Sequence, residues 1–107
     1  MDAMRYRNLG NTGLKISEIG FGCGNNAGLM TRENREEQLK AIRLAIHQGI
    51  NYFDTSPAYG NGRSEQNLGQ ILNELKTEVI VSTKVRLGEE DVVDLRASTI
   101  GCVEAGR

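Results

Sequence analysis

Three residues whose types can together protonate a carbonyl oxygen fall at related places in this sequence. Asp54 closes an apolar run, Tyr59 follows five positions later, and Lys84 stands near the end of the next apolar run. Adding a hydride to a carbonyl carbon leaves negative charge on the oxygen, and an acid must supply a proton there. A tyrosine hydroxyl is ordinarily too weak an acid to do this well near neutral pH. A lysine ammonium about 4 Å away, at an effective dielectric of about 20, stabilises the phenolate by about 4 kcal/mol. Asp54 would in turn keep that lysine charged and in place. Tyr59 is therefore the expected proton donor, Lys84 its tuner and Asp54 the support. Taken singly, each has a plainer reading: a strand-end aspartate capping a loop, a packed loop aromatic, a solvated lysine. The trio carries the chemistry.

The elements that must position the trio follow from hydrophobic pattern and turn chemistry. Two short runs flank Gly10-Asn11-Thr12-Gly13 and predict a β-hairpin over Tyr6 to Ser17. Glu18 to Cys23 reads as a glycine-rich strand, and Asn25 to Arg32 as a polar loop. Asn34 with Glu37 three residues on marks a helix start, and Leu39, Ile42, Ala45 and Ile46 repeat at helical spacing. Gly49 supplies the stop, and Ile50 to Thr55 is the next strand. Ser64 is placed to cap a second helix, whose buried stripe is Leu68, Ile71, Leu72 and Leu75. Val79 to Val85, rich in β-branched residues, is a third strand. Gly88 to Asp91 is a polar turn, and Leu95, Ile100 and Val103 outline a third helical pattern that would include Cys102.

Strands recurring about every 30 residues with helices between them are the rhythm of a parallel α/β sheet. Eight such units close a (β/α)8 barrel of about 250 residues. Three are present, so the fold class expected is the N-terminal part of such a barrel, with residues 1–107 forming one incomplete domain. Asp54, Tyr59 and Lys84 then all belong to the face at the carboxyl ends of the strands, where barrel active sites collect.

Composition narrows the partners. The net charge is −1 with both signs interspersed, and tryptophan is absent, which gives neither a basic patch nor a stacking platform for nucleic acid. No apolar run approaches membrane-spanning length, and the first residues lack the apolar stretch of an export signal. Cys23 and Cys102 stand far apart without CxxC spacing, so free thiols, a cytoplasmic location and no metal site are expected. Gly20-Phe21-Gly22-Cys23-Gly24 lacks the spacing and the following helix of a dinucleotide-binding fingerprint. His47 sits in the last turn of the first helix, where a cation suits the helix dipole, and is read as structural.

Several segments, in order, resemble the aldo-keto reductase family. Tyr6-Arg7-Asn8-Leu9-Gly10 and Thr12 to Ser17 are similar to its N-terminal hairpin, and Ile19-Gly20-Phe21-Gly22 to its first barrel strand. Gly49 to Ser56, Tyr59-Gly60, Gly62-Arg63-Ser64-Glu65 and Leu68-Gly69 match its main signature, and Val81-Ser82-Thr83-Lys84 the strand that ends in its lysine. The resemblance implies an oxidoreductase that reduces an aldehyde or ketone with hydride from NADPH, or NADH, using Asp54, Tyr59 and Lys84. Cofactor contacts in this segment are expected at Asp54 and, closing the first strand, at Gly22 and Cys23. The resemblance also implies a catalytic histidine after a fourth strand, beyond Arg107, together with most of the cofactor's contacts. The alternative expectation is an inactive remnant or a non-catalytic barrel module, self-associating through open sheet edges.

Overall fold

The computed structural model describes residues 3–87 and 102–105. The chain opens with the expected hairpin: β1 (Tyr6–Asn8) pairs antiparallel with β2 (Lys15–Ser17) in the register Tyr6↔Ser17. Its connection is closed by Leu9 N–H donating to Leu14 O at 2.8 Å. Three parallel strands follow, β3 (Phe21–Gly22), β4 (Tyr52–Asp54) and β5 (Ile80–Ser82), with β4 in the middle.

The helices α1 (Arg35–His47) and α2 (Arg63–Leu75) make the crossovers. Asn34 caps α1 as its sequence position predicts, its Oδ1 accepting from Glu37 N–H at 3.2 Å. The far end closes on Gly49, at φ +99°, which donates to Ile46 O while Ile50 N–H reaches Ala45 O, both at 3.0 Å. The apolar stripes of both helices meet the sheet around Phe53, which has no exposed surface. Ile42, Ala45, Leu68, Ile71 and Met30 complete this core, with Phe21 tilted against Phe53 at a ring separation of 5.3 Å.

Three expectations are corrected. The third strand is broken at Thr83 into β5 and β6 (Lys84–Leu87). Thr55 N–H donates to Ser82 O at 2.8 Å, after which the chain leaves β4, and the Thr83 hydroxyl donates to Glu65 instead. Cys102 and Val103 lie in a strand, β7 (Cys102–Ala105), parallel to β6 in the register Lys84↔Cys102, and not in a helix. Val85 is the register partner of Val103 in that ladder. Leu95, Ile100 and the Gly88 to Asp91 turn lie outside the described residues. Finally, the polar stretch after β3 contains a single 3-10 turn, Leu29–Thr31, that buries Met30.

The hairpin is fastened to the core chiefly by the Asn51 side chain. Asn51 Oδ1 accepts from Ser17 N–H at 2.7 Å and its Nδ2 donates to Lys15 O at 2.9 Å. Tyr6 adds a hydroxyl bond to Gly49 O at 2.6 Å. A Cβ at Gly49 would come within 2.9 Å of the Met4 Cβ and 3.0 Å of the Tyr6 hydroxyl, whereas one at Gly62, at φ +95°, would meet nothing. Gly62→Ala is therefore expected to lose about 1 kcal/mol from left-handed strain alone, and Gly49→Ala about 1–3 kcal/mol more because crowding is added. Urea unfolding of both variants checks this; equal losses would overturn the crowding account.

Candidate active site

The three residues singled out by type and spacing converge. Asp54 is the last residue of β4, Lys84 the first of β6, and Tyr59 opens a tight turn, Tyr59–Gly62, that feeds directly into α2. Lys84 Nζ lies 3.3 and 3.4 Å from the two Asp54 carboxylate oxygens and donates to Thr55 O at 2.9 Å. The same nitrogen stands 5.0 Å from the centre of the Tyr59 ring. The Lys84 side chain is 14% exposed, the Asp54 side chain 40%. Burial on its own would lower the lysine's proton affinity. The hydrogen bond and charge of Asp54, with Tyr59 adding to both, outweigh it and raise Lys84 above its ordinary value. The geometry thus keeps a cation beside the phenol ring.

The turn that carries Tyr59 has an unusual backbone. Gly60, Asn61 and Gly62 are successively left-handed, at φ +59°, +53° and +95°. This sequence of conformations brings Arg63 N–H back onto Gly60 O and Tyr59 O, so α2 starts without a side-chain cap. Ser64, expected to be the cap, is instead inside the first turn and fully buried. Its hydroxyl donates to Cys23 O at 2.8 Å and stands 2.7 Å from Thr55 Oγ1. It therefore joins the ends of β3 and β4 to α2. The sequence pattern pointed to the right residue and the wrong partner, because the left-handed turn already satisfies the helix start.

Beside Asp54 and Tyr59 lies a cleft of about 620 Å³, walled by Phe21, Gly22, Gly24 and Asn25. Gly22 lines it, and a Cβ there would meet nothing within 4 Å. Cys23 does not. Its side chain turns into the core with 1% exposure, because side chains alternate along the strand and Gly22 takes the cleft side. Burial, reinforced by the Asp54 charge, pushes its thiol up to about 12, which keeps it protonated and a poor nucleophile. His47 is exposed on the last turn of α1, away from the trio. Among the described residues no three His, Cys, Asp or Glu side chains gather as metal ligands, and no helix is long and apolar enough to cross a membrane.

Parallel strands joined by helices, with an acid, a lysine and a tyrosine at their carboxyl ends, define a barrel-type α/β site. The family model described as "Aldo/keto reductase family" matches residues 18–105. L-galactose dehydrogenase from Arabidopsis thaliana is 40% identical over 78% of this chain and 27% of its own length. A probable voltage-gated potassium channel subunit beta from Oryza sativa is 34% identical over 97% of this chain and 32% of its own. Among solved structures, an aldo-keto reductase from Bacillus halodurans in its holo form superposes with a TM-score of 0.64 at 33% identity, covering 77% of this chain and 26% of that one. A thermostable aldo-keto reductase bound to the inhibitor epalrestat superposes with a TM-score of 0.66 at 28% identity, covering 85% and 35%. The chain belongs to the aldo/keto reductase family, and its fold is part of that family's (β/α)8 barrel. It spans about a quarter to a third of the length of the relatives named here.

Two outcomes test the site's construction. Ser64→Ala strands a buried carbonyl and a buried hydroxyl, and is expected to cost about 1–3 kcal/mol in urea unfolding; an unchanged midpoint would count against the buried junction. Cys23 and Lys84 both hold their protons more tightly when folded, Cys23 at about 12 against 9.0 and Lys84 above 10.5. The Cys23 contribution is complete below about pH 9 and is lost as pH rises toward 12, and that of Lys84 is lost only above 10.5, because the unfolded chain releases each proton first. The urea midpoint should fall across that window, and Cys23→Ala should flatten its lower part. A midpoint constant to pH 11 would contradict the Cys23 shift.

Proposed function

We propose that this site serves an NAD(P)H-dependent oxidoreductase that reduces an aldehyde or ketone to an alcohol, with Tyr59 as the proton donor. The observation that carries the reading is Lys84 Nζ held between Asp54 and Thr55 O, 5.0 Å from the Tyr59 ring centre. The cleft fits one end of a nicotinamide cofactor: its volume suits a small-molecule site, and Gly22 leaves its wall beside Asp54 open for a flat ring. Asp54 and Gly22 would meet that end, and the cofactor supplies the hydride.

The chain's own residues handle the proton. As the carbonyl π pair moves onto oxygen, the Tyr59 hydroxyl donates its proton to that oxygen and becomes a phenolate. The Lys84 ammonium opposes the developing negative charge on the phenol, a stabilisation that grows along the reaction and so lowers the barrier. Asp54 keeps Lys84 charged and, with Thr55 O, fixes where its nitrogen sits. Water reprotonates Tyr59 afterwards.

A second reading, a non-catalytic binding module, is favoured by one observation. A similar protein is named as a probable voltage-gated potassium channel subunit beta. The discriminating experiment joins residues 1–107 to the remainder of the Bacillus subtilis aldo-keto reductase YhdN, to which this chain is 38% identical over 78% of its length. NADPH oxidation against an aldehyde panel should proceed in that chimera and not with residues 1–107 alone. Tyr59→Phe should lower kcat by about 10²–10⁴-fold. Full activity in Tyr59→Phe would sink the proton-donor role, while NADPH binding without turnover would favour the module.

A further inference from the structure

The Tyr59 turn is not held by α2 alone. Gly60 N–H, one residue beyond Tyr59, donates to the side-chain oxygen of Asn25 at 2.9 Å across the cleft's edge. Asn25 belongs to the loop after β3, and that loop is firmly anchored. Gln38 on α1, 1% exposed, donates through Nε2 to Leu29 O at 2.9 Å and Arg32 O at 2.8 Å. Asn67 on α2 donates to Met30 O at 2.8 Å and to Arg32 O at 3.1 Å. The Thr31 side chain fills the space at Gly60, where a Cβ would lie 2.7 Å from the Thr31 Cβ. On the other side a Cβ at Gly24 would lie 3.7 Å from the Tyr59 ring, so the loop also provides the surface the ring rests on.

We propose that Asn25 is a positioning residue for Tyr59: it clips the left-handed turn to the braced loop after β3 and so fixes the phenol over the cleft. No other side chain hydrogen bonds to the backbone of the turn's Tyr59 and Gly60 among the described residues; Tyr59 N–H itself goes to Ser56 O at 3.1 Å. A left-handed glycine beside the working residue has many alternative conformations, and one hydrogen bond to a fixed anchor removes them. The consequence for catalysis rests on the reductase reading, whereas the clip itself does not.

The test therefore has two readouts. In residues 1–107, amide hydrogen exchange at Gly60 should quicken by about 3–10-fold in Asn25→Ala, as expected for a lost bond of about 0.5–1.5 kcal/mol. NOEs between the Tyr59 ring and the Gly24 α-protons should weaken. Asn25→Asp, which keeps an oxygen acceptor, should restore both. Unchanged exchange and NOEs in Asn25→Ala would overturn the clip. In the chimera, Asn25→Ala should lower kcat about 10-fold, with recovery in Asn25→Asp, and should add nothing once Tyr59 is Phe, because its effect passes through that hydroxyl. An equal further loss in the Tyr59→Phe background would overturn the positioning role. Full activity of Tyr59→Phe would instead sink the reductase reading and leave the exchange measurement to judge the clip.

Discussion

A hydroxyl with no access to water sits where three elements meet, and the geometry of the site depends on it. Ser64 reaches Cys23 O at the end of β3 and Thr55 Oγ1 just past β4, from a position inside the first turn of α2. Each of those buried polar groups would otherwise have to face an apolar core around Phe53. By pairing them with one another, the fold sets the distance between the carboxyl ends of two parallel strands and the start of the helix that follows. Asp54 directly precedes Thr55 in the chain, and Tyr59 lies between Thr55 and Ser64. Packing of Ile42, Leu68 and Ile71 supplies cohesion, but cohesion alone does not fix a register.

The electrostatics are arranged on top of this frame. Lys84 is brought into partial burial, which opposes its charge, and three oxygens from two residues at the end of β4 are there to hold it. Asp54 supplies charge and Thr55 a carbonyl dipole whose direction is set by the strand. Asp54 stays well solvated at 40% exposure, so the pair escapes most of the desolvation penalty that a fully buried ion pair carries. The lysine's charge is thereby available to the neighbouring ring as well as to the carboxylate.

The sequence made the helices and the trio legible, and it did so for identifiable reasons. Asn34 and Gly49 bracket α1 because caps are local chemistry, and the stripes of Ile42 and Leu68 follow directly from periodicity. Asp54 and Lys84 stand near the ends of β-branched or aromatic runs, and parallel strands must put such ends on one face. The misreadings share a different cause. Ser64 has the residue type and position of a cap, but the left-handed turn before it already brings Arg63 N–H onto Gly60 O and Tyr59 O. Cys23 ends the first strand, as a cleft residue would, yet its side chain is buried in the core. The break at Thr83, the strand at Cys102 to Ala105, and the role of Asn25 all depend on partners distant in sequence, which no local pattern encodes.

Three consecutive left-handed residues follow Tyr59. Such a stretch suits glycine and, less well, asparagine, and strains nearly every other residue. At Gly60 the packed Thr31 side chain forbids even a methyl group. The segment is thus a narrow passage in sequence space: most single substitutions there disturb the tyrosine's backbone, although none touches the reacting groups. Variation in the cleft's lining is therefore tolerated more readily at exposed positions such as Asn26 and Ala27, while the turn itself can change little.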